Sequence, residues 1–209
     1  MVIPSLISSY QKHVTVVKLK KIYADIKLIN QRASADYGSP DGWVYPQQYD
    51  YDAVVEFLKT YYQPYLRSAQ IYQKGQLQKA GYRPANLNGR FAKQNLSGIM
   101  LSDGRFLTFF PHGNYMWIYA DINGINGPNR VGLDIFIFAQ YYAQYAQYVP
   151  FLWGERTDYN NLINPKDDLS EGNTQAYGCN KKNKGKYAGW YCGALIKYND
   201  WKITKDYPW

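Results

Sequence analysis

Cys179 and Cys192, the two cysteines of the chain, bracket a stretch rich in Gly, Asn and Lys. The two histidines, His13 and His112, are far from them in sequence, so no zinc-ligand spacing surrounds the pair. Two chemistries remain open. A disulfide closing a loop of that size stabilises a fold by roughly 3 kcal/mol in the chain-entropy model and persists only in an oxidising compartment. Two free thiols would belong to a chain kept reduced. The disulfide is the expectation, and with it a location outside the cytoplasm.

A second cluster, Asp121, Asn123, Asn126 and Asp134, places oxygen ligands around a glycine-rich connection. Calcium takes six to eight such oxygens from a flexible loop, although this spacing is not that of an EF-hand. The same Asn, Gly and Pro residues are the ordinary material of a strand-to-strand turn, so a turn is expected first and a calcium ion second. Further on, Lys181, Lys182, Lys184 and Lys186 precede Tyr187, Trp190 and Tyr191. Basic residues interleaved with rings can hold phosphates while stacking bases, or can contact sugars. The competing reading is a solvated loop whose lysines keep the chain soluble. Glu155 and Asp158 beside Trp153 are the local candidates for glycoside chemistry, and His112 for a general base. No nucleophile elbow, paired-histidine zinc motif or phosphate-binding glycine loop accompanies them, so catalysis is not expected.

These groups must be held by a folded chain. At 209 residues the length suits one domain, with or without an appendage, and 46% hydrophobic residues exclude an acidic disordered or low-complexity sequence. The net charge is +8. Tyr is the outlier at 23 residues, which predicts broad surfaces where a ring packs and its hydroxyl stays wet. No run reaches the roughly 18 apolar residues of a membrane span, and no signal peptide is visible.

Ile7, Tyr10, Val14 and Val17, then Leu19, Ile22, Ile26 and Ile29, recur at helical spacing between lysines and predict one long amphipathic helix over residues 1–36. Turn residues from Gly38 to Gly42 end it, and a second helical pattern runs from about Asp50 to Ser68, bent by Pro64. The period then becomes extended. Gly98–Leu101, Arg105–Phe110, Tyr115–Ile122 and Asp134–Phe138 predict a four-stranded antiparallel meander, its first hairpin turning at Ser102-Asp103-Gly104. The expected organisation is the helix at 1–36, then a globular head of helical connecting region (37–95), sheet (96–140) and C-terminal disulfide region (141–209). The apolar end from Ala194 to Ile203 is expected to dock back on the fold.

That order of elements resembles the type IV pilin and type II secretion pseudopilin family. Ile3-Pro4-Ser5-Leu6-Ile7, followed by Tyr10-Gln11-Lys12 and Leu19-Lys20-Lys21, resembles the end of a pilin apolar segment with its helix-bending proline. Asp121-Ile122-Asn123-Gly124 with Gly127-Pro128-Asn129 and Gly132-Leu133-Asp134-Ile135-Phe136 resembles the central block of such proteins. Tyr177-Gly178-Cys179, Cys192–Ile196, Asp200–Ile203 and Lys205–Trp209 are similar to their ending. Prepilins carry a basic leader, a glutamate and an uninterrupted apolar half-helix; this sequence starts near the proline, so the resemblance assigns no processing or methylation residue and a truncated pilin-type helix is expected.

The resemblance implies an α+β pilin-like fold and a structural role: a subunit of a pilus or pseudopilus filament, at the cell surface or the periplasmic face of the inner membrane. Ile3, Pro4, Leu6, Ile7, Tyr10, Val14 and Val17 would pack against other pilin or pseudopilin subunits. The alternative is a minor-pilin binding module that contacts DNA or a glycan through the lysine and aromatic loop. The resemblance also raises calcium at Asp121 to Asp134, because some pseudopilins bind it.

Overall fold

A computed structural model describes residues 3–89, 96–142, 149–164 and 177–209; of Ile3, Pro4 and Ser5 only the helical backbone is described, so the expected packing roles of Ile3 and Pro4 fall on side chains outside the described residues. The fold is α+β. Helix α1 spans Ile3–Tyr37, and Val16, Leu19, Ile22, Ile26, Ile29 and Ala33 are buried along it at the helical repeat. Helix α2 spans Tyr51–Tyr61. Asp50 caps it by accepting from the Ala53 amide at 2.9 Å, and Pro64 stops it in a single 3-10 turn, Gln63–Tyr65. The helix expected to bend and continue to Ser68 therefore ends earlier.

The described sheet has six strands rather than four: β1 Gln70–Tyr72, β2 Ser97–Met100, β3 Phe106–His112, β4 Tyr115–Asp121, β5 Ile135–Tyr141 and β6 Phe151–Leu152. They lie side by side in chain order, every neighbour antiparallel. The four central strands are the expected ones. The two missed strands are edge pieces of three and two residues, too short to show a period of two in the sequence. Gly98 on β2 is required by a close approach: a β-carbon there would stand 2.4 Å from the Leu107 carbonyl oxygen.

Alternation along the strands sorts side chains to two faces, and both are covered. Leu107, Phe109, Met116, Ile118, Ala120, Phe136 and Phe138 pack with the buried stripe of α1 and with Val54, Phe57, Leu58 and Tyr61 of α2. On the opposite face Phe106, Phe110, Trp117, Tyr119, Ile135, Ile137 and Ala139 pack under Leu77 from the short helix α3 (Gln76–Lys79), Tyr82, Val131 and Trp190. The helix-side layer also encloses polar groups. Gln140 Nε2 donates to Asn30 Oδ1 at 3.3 Å and to Tyr45 Oη at 3.2 Å, and the Tyr62 hydroxyl donates to Gln140 Oε1 at 3.4 Å. This network ties α1, α2 and β5 together where an unpaired amide would be costly.

The described residues after β5 form further short elements. They are β6, helix α4 (Tyr159–Ile163) and helix α5 (Cys192–Tyr198), and a Cys179–Cys192 disulfide ties the first residue of α5 to the segment before it. Leu195 and Ile196 enter the helix-side core with Leu152 and Leu162. The end of the chain docks: Tyr207 is buried and its hydroxyl bonds the Gly132 carbonyl, and the Trp201 ring meets Tyr23 of α1 edge-on at 5.3 Å.

The two sides of α1 make opposite predictions. Ile26→Ala removes a fully buried side chain and should cost about 2–5 kcal/mol in urea unfolding, whereas Leu28→Ala, 44% exposed, should stay within about 0.5 kcal/mol. Equal losses would contradict this assignment of faces.

Candidate functional site

The first turns of α1 carry apolar side chains that the rest of the fold does not cover. Leu6 is 66% exposed, Ile7 51%, Tyr10 69% and, further along, Val17 50%, while Val14 is half-buried. Burial starts only at Thr15 and Val16. Beside this stretch lies a groove of about 490 Å3, mainly apolar, walled by Tyr10, Val14 and Lys18 on one side and by Pro128, Leu133 and Trp209 on the other. Asn123 and Asp134 of the suspected cation loop line its floor. Helix and loop, separate in the sequence reading, thus share one concavity. Leu133 and Trp209 belong to it too, and nothing in their local pattern distinguished them.

Within the loop the two acids close the turn. Asp121 is fully buried; its carboxylate accepts from the Tyr82 hydroxyl at 3.0 Å and from the Asn123 amide at 3.0 Å. Asp134 accepts from the Asn129 amide at 2.8 Å and from the Arg130 amide at 2.6 Å. Burial, and then the charge of Asp134, push the Asp121 carboxyl well above the usual carboxylate range. Burial also raises Asp134, against the amides that favour its charged form. Asn126 is exposed and its side-chain amide donates to the Asn123 carbonyl at 3.5 Å. The buried side-chain oxygens of Asn123 and Asn129 have no hydrogen-bond partner, the one feature of the loop that fits a cation. Among the described residues no three His, Cys, Asp or Glu side chains converge.

The lysine and aromatic loop divides instead of forming a platform. Lys181, Lys182, Lys184 and Lys186 are exposed. Lys181 donates to the Trp209 carbonyl oxygen at 2.7 Å, and the Lys186 ammonium lies 5.2 Å from the centre of the Tyr187 ring. The rings turn inward. Trp190 is 4% exposed, packs edge-on against Trp117 and Tyr119, and donates its indole N–H to Asn86 Oδ1 at 2.9 Å. Tyr187 is half-buried beside it, and Tyr191, also half-buried, packs on Tyr177.

Glu155 and Asp158 have separate tasks. Glu155 is bound by Lys197, accepts from the Tyr23 hydroxyl at 3.2 Å and from the Leu152 amide at 3.1 Å, and so links α1, α5 and β6. Asp158 caps α4 by accepting from the Asn161 amide at 3.1 Å, which holds its carboxyl below the usual range. His112 packs half-buried among Tyr49, Phe110 and Tyr115. Among the described residues no helix is long and apolar enough to cross a membrane.

The raised Asp121 carboxyl sets a pH dependence. A carboxyl raised on folding lends stability at low pH that is lost as pH rises through its folded-state value. Between pH 4 and pH 7 the melting temperature of Asp121→Asn should therefore gain progressively on that of the unmutated chain. A difference independent of pH would contradict the assignment, and a calcium-induced rise in melting temperature that Asp121→Asn removes would reassign the loop to a cation.

No curated protein and no solved structure matches the chain. A family model does, over residues 5–209, and its description is a family of unknown function, DUF6613. The chain belongs to that family.

Proposed function

We propose that the chain is a structural subunit of a filament of the type IV pilus or type II secretion pseudopilus kind, polymerising through the first part of α1. The observation that carries this reading is the bare apolar face of Leu6, Ile7 and Tyr10 on a helix whose later turns are core. Exposed apolar patches on an otherwise well-buried fold mark interaction surfaces. The occupant of the adjoining groove is the Leu6 and Ile7 end of α1 from a neighbouring copy, because those two exposed side chains lie outside the groove that Tyr10 and Val14 wall. Such a contact is heterologous and, when its rotation does not close, builds an open helical polymer.

Further support comes from the resemblance of the Ile3–Ile7 stretch, the Asp121–Phe136 block and the C-terminal residues to pilin-type proteins, and a pilin-like variety of the α+β fold is part of the same proposal. The disulfide fits an oxidising location such as the cell surface or the periplasmic face of the inner membrane. Partners are further copies or related subunits, and catalysis has no part in the reading. A ligand-binding module acting through Lys181 to Lys186 is the less supported version, because Trp190 is used inside the fold.

Sedimentation velocity of the full chain over increasing concentration tests the proposal. The unmutated chain should move from monomer to a ladder of larger species. A Leu6→Glu, Ile7→Glu double variant should need at least tenfold more protein to do so, with an unchanged urea midpoint because both positions are exposed. A strictly monomeric chain, or a variant that assembles equally well, would overturn it.

A further inference from the structure

The turn between β2 and β3 meets the later part of α1 at a second cavity, of about 160 Å3, that the assembly surface does not use. Arg105 forms its inner wall and is only 4% exposed. Its guanidinium is held on two sides: Nε donates to Asp103 at 2.9 Å and Nη2 to Asp25 at 2.5 Å. Lys21 holds Asp103 from the far side at 2.7 Å. The remaining nitrogen, Nη1, is buried and has no acceptor. A buried guanidinium donor left unpaired is costly, so the position calls for an acceptor.

The rim supplies more of the same charge. Arg32 of α1 and Arg67, just beyond the 3-10 turn after α2, line the cavity, are exposed, and form no ion pair among the described residues. Four cationic side chains thus surround two acids, and both acids are already committed to Arg105. The excess is two positive charges. Planar guanidinium forks suit oxyanions that accept two parallel N–H bonds, and a phosphomonoester carries about 1.5 to 2 negative charges at neutral pH.

We propose that this cavity binds a phosphate dianion, Arg105 Nη1 donating from within and Arg32 and Arg67 closing from the rim. Asp25 and Asp103 are positioning residues: they fix the Arg105 fork so that its free nitrogen is set before the ligand arrives. The site is independent of the filament reading, since none of its residues belongs to the bare face of α1. The phosphate is either the free ion or the head of a phosphomonoester, and these share the chemistry.

Isothermal titration of the full chain with inorganic phosphate and, in a second arm, glycerol 3-phosphate tests this at ionic strength held constant with sodium chloride. Saturable binding is expected in at least one arm, and the tighter arm identifies the source. Arg32→Gln and Arg67→Gln, both at exposed positions, should each weaken it about tenfold, while Lys202→Gln and Lys205→Gln on the C-terminal segment should leave it unchanged. The absence of saturable heat in both arms would overturn the proposal. So would equal weakening by the C-terminal variants, which would mean an adventitious ion only.

Discussion

A helix of 35 residues is about 50 Å long at 1.5 Å per residue. The sheet beneath it has six strands at about 4.8 Å spacing, the longest of seven residues, so it measures roughly 24 Å in either direction. Along either edge the sheet covers about half of the length of α1. The buried stretch from Val16 to Ala33 matches what the sheet can reach. The apolar residues before it, Leu6, Ile7 and Tyr10, lie beyond that stretch and stay exposed. Everything proposed about assembly rests on that mismatch of lengths.

The rest of the molecule serves to keep α1 on the sheet and to close the other face. Each fully buried aliphatic side chain of the stripe contributes about 1.5–3 kcal/mol, and polar locks fix its register. Asn30 engages Gln140, Asp25 engages Arg105, and Tyr23 engages Glu155 and Lys197, each contact reaching far along the chain. On the opposite face the abundance of tyrosine finds its use. Tyr82 buries its ring and spends its hydroxyl on Asp121, while Tyr115, Tyr177 and Tyr187 sit half-buried among Trp117, Trp153 and Trp190. The disulfide region supplies both layers: Leu195 packs on the helix side and Trp190 on the other.

Much of this was legible from the residues. The stripe from Leu19 to Ile29, the turn at Ser102–Gly104, the strands around Trp117 and Phe136 and the pairing of Cys179 with Cys192 all show in local pattern, because each depends on residues near in sequence. What was not legible depends on distant partners. Arg105 reads as an ordinary strand-edge cation until Asp25, from another element, is brought beside it. Trp190 reads as a loop aromatic until Asn86 accepts its indole N–H. Strands β1 and β6 exist because a longer neighbour pairs with them, not because two or three residues prefer extension. The groove is the clearest case: Tyr10, Pro128 and Trp209 meet only after the chain has closed.

Helix α1 divides at Val16 into a part that is core and, on the proposed reading, a part before it that is a contact surface. Native-state hydrogen exchange along this one helix distinguishes the two parts. Amides of residues 16–33 should exchange only through global unfolding, and those of residues 6–14 far faster in dilute solution but with protection that grows as concentration rises. Uniform protection along the whole helix at every concentration would contradict this division.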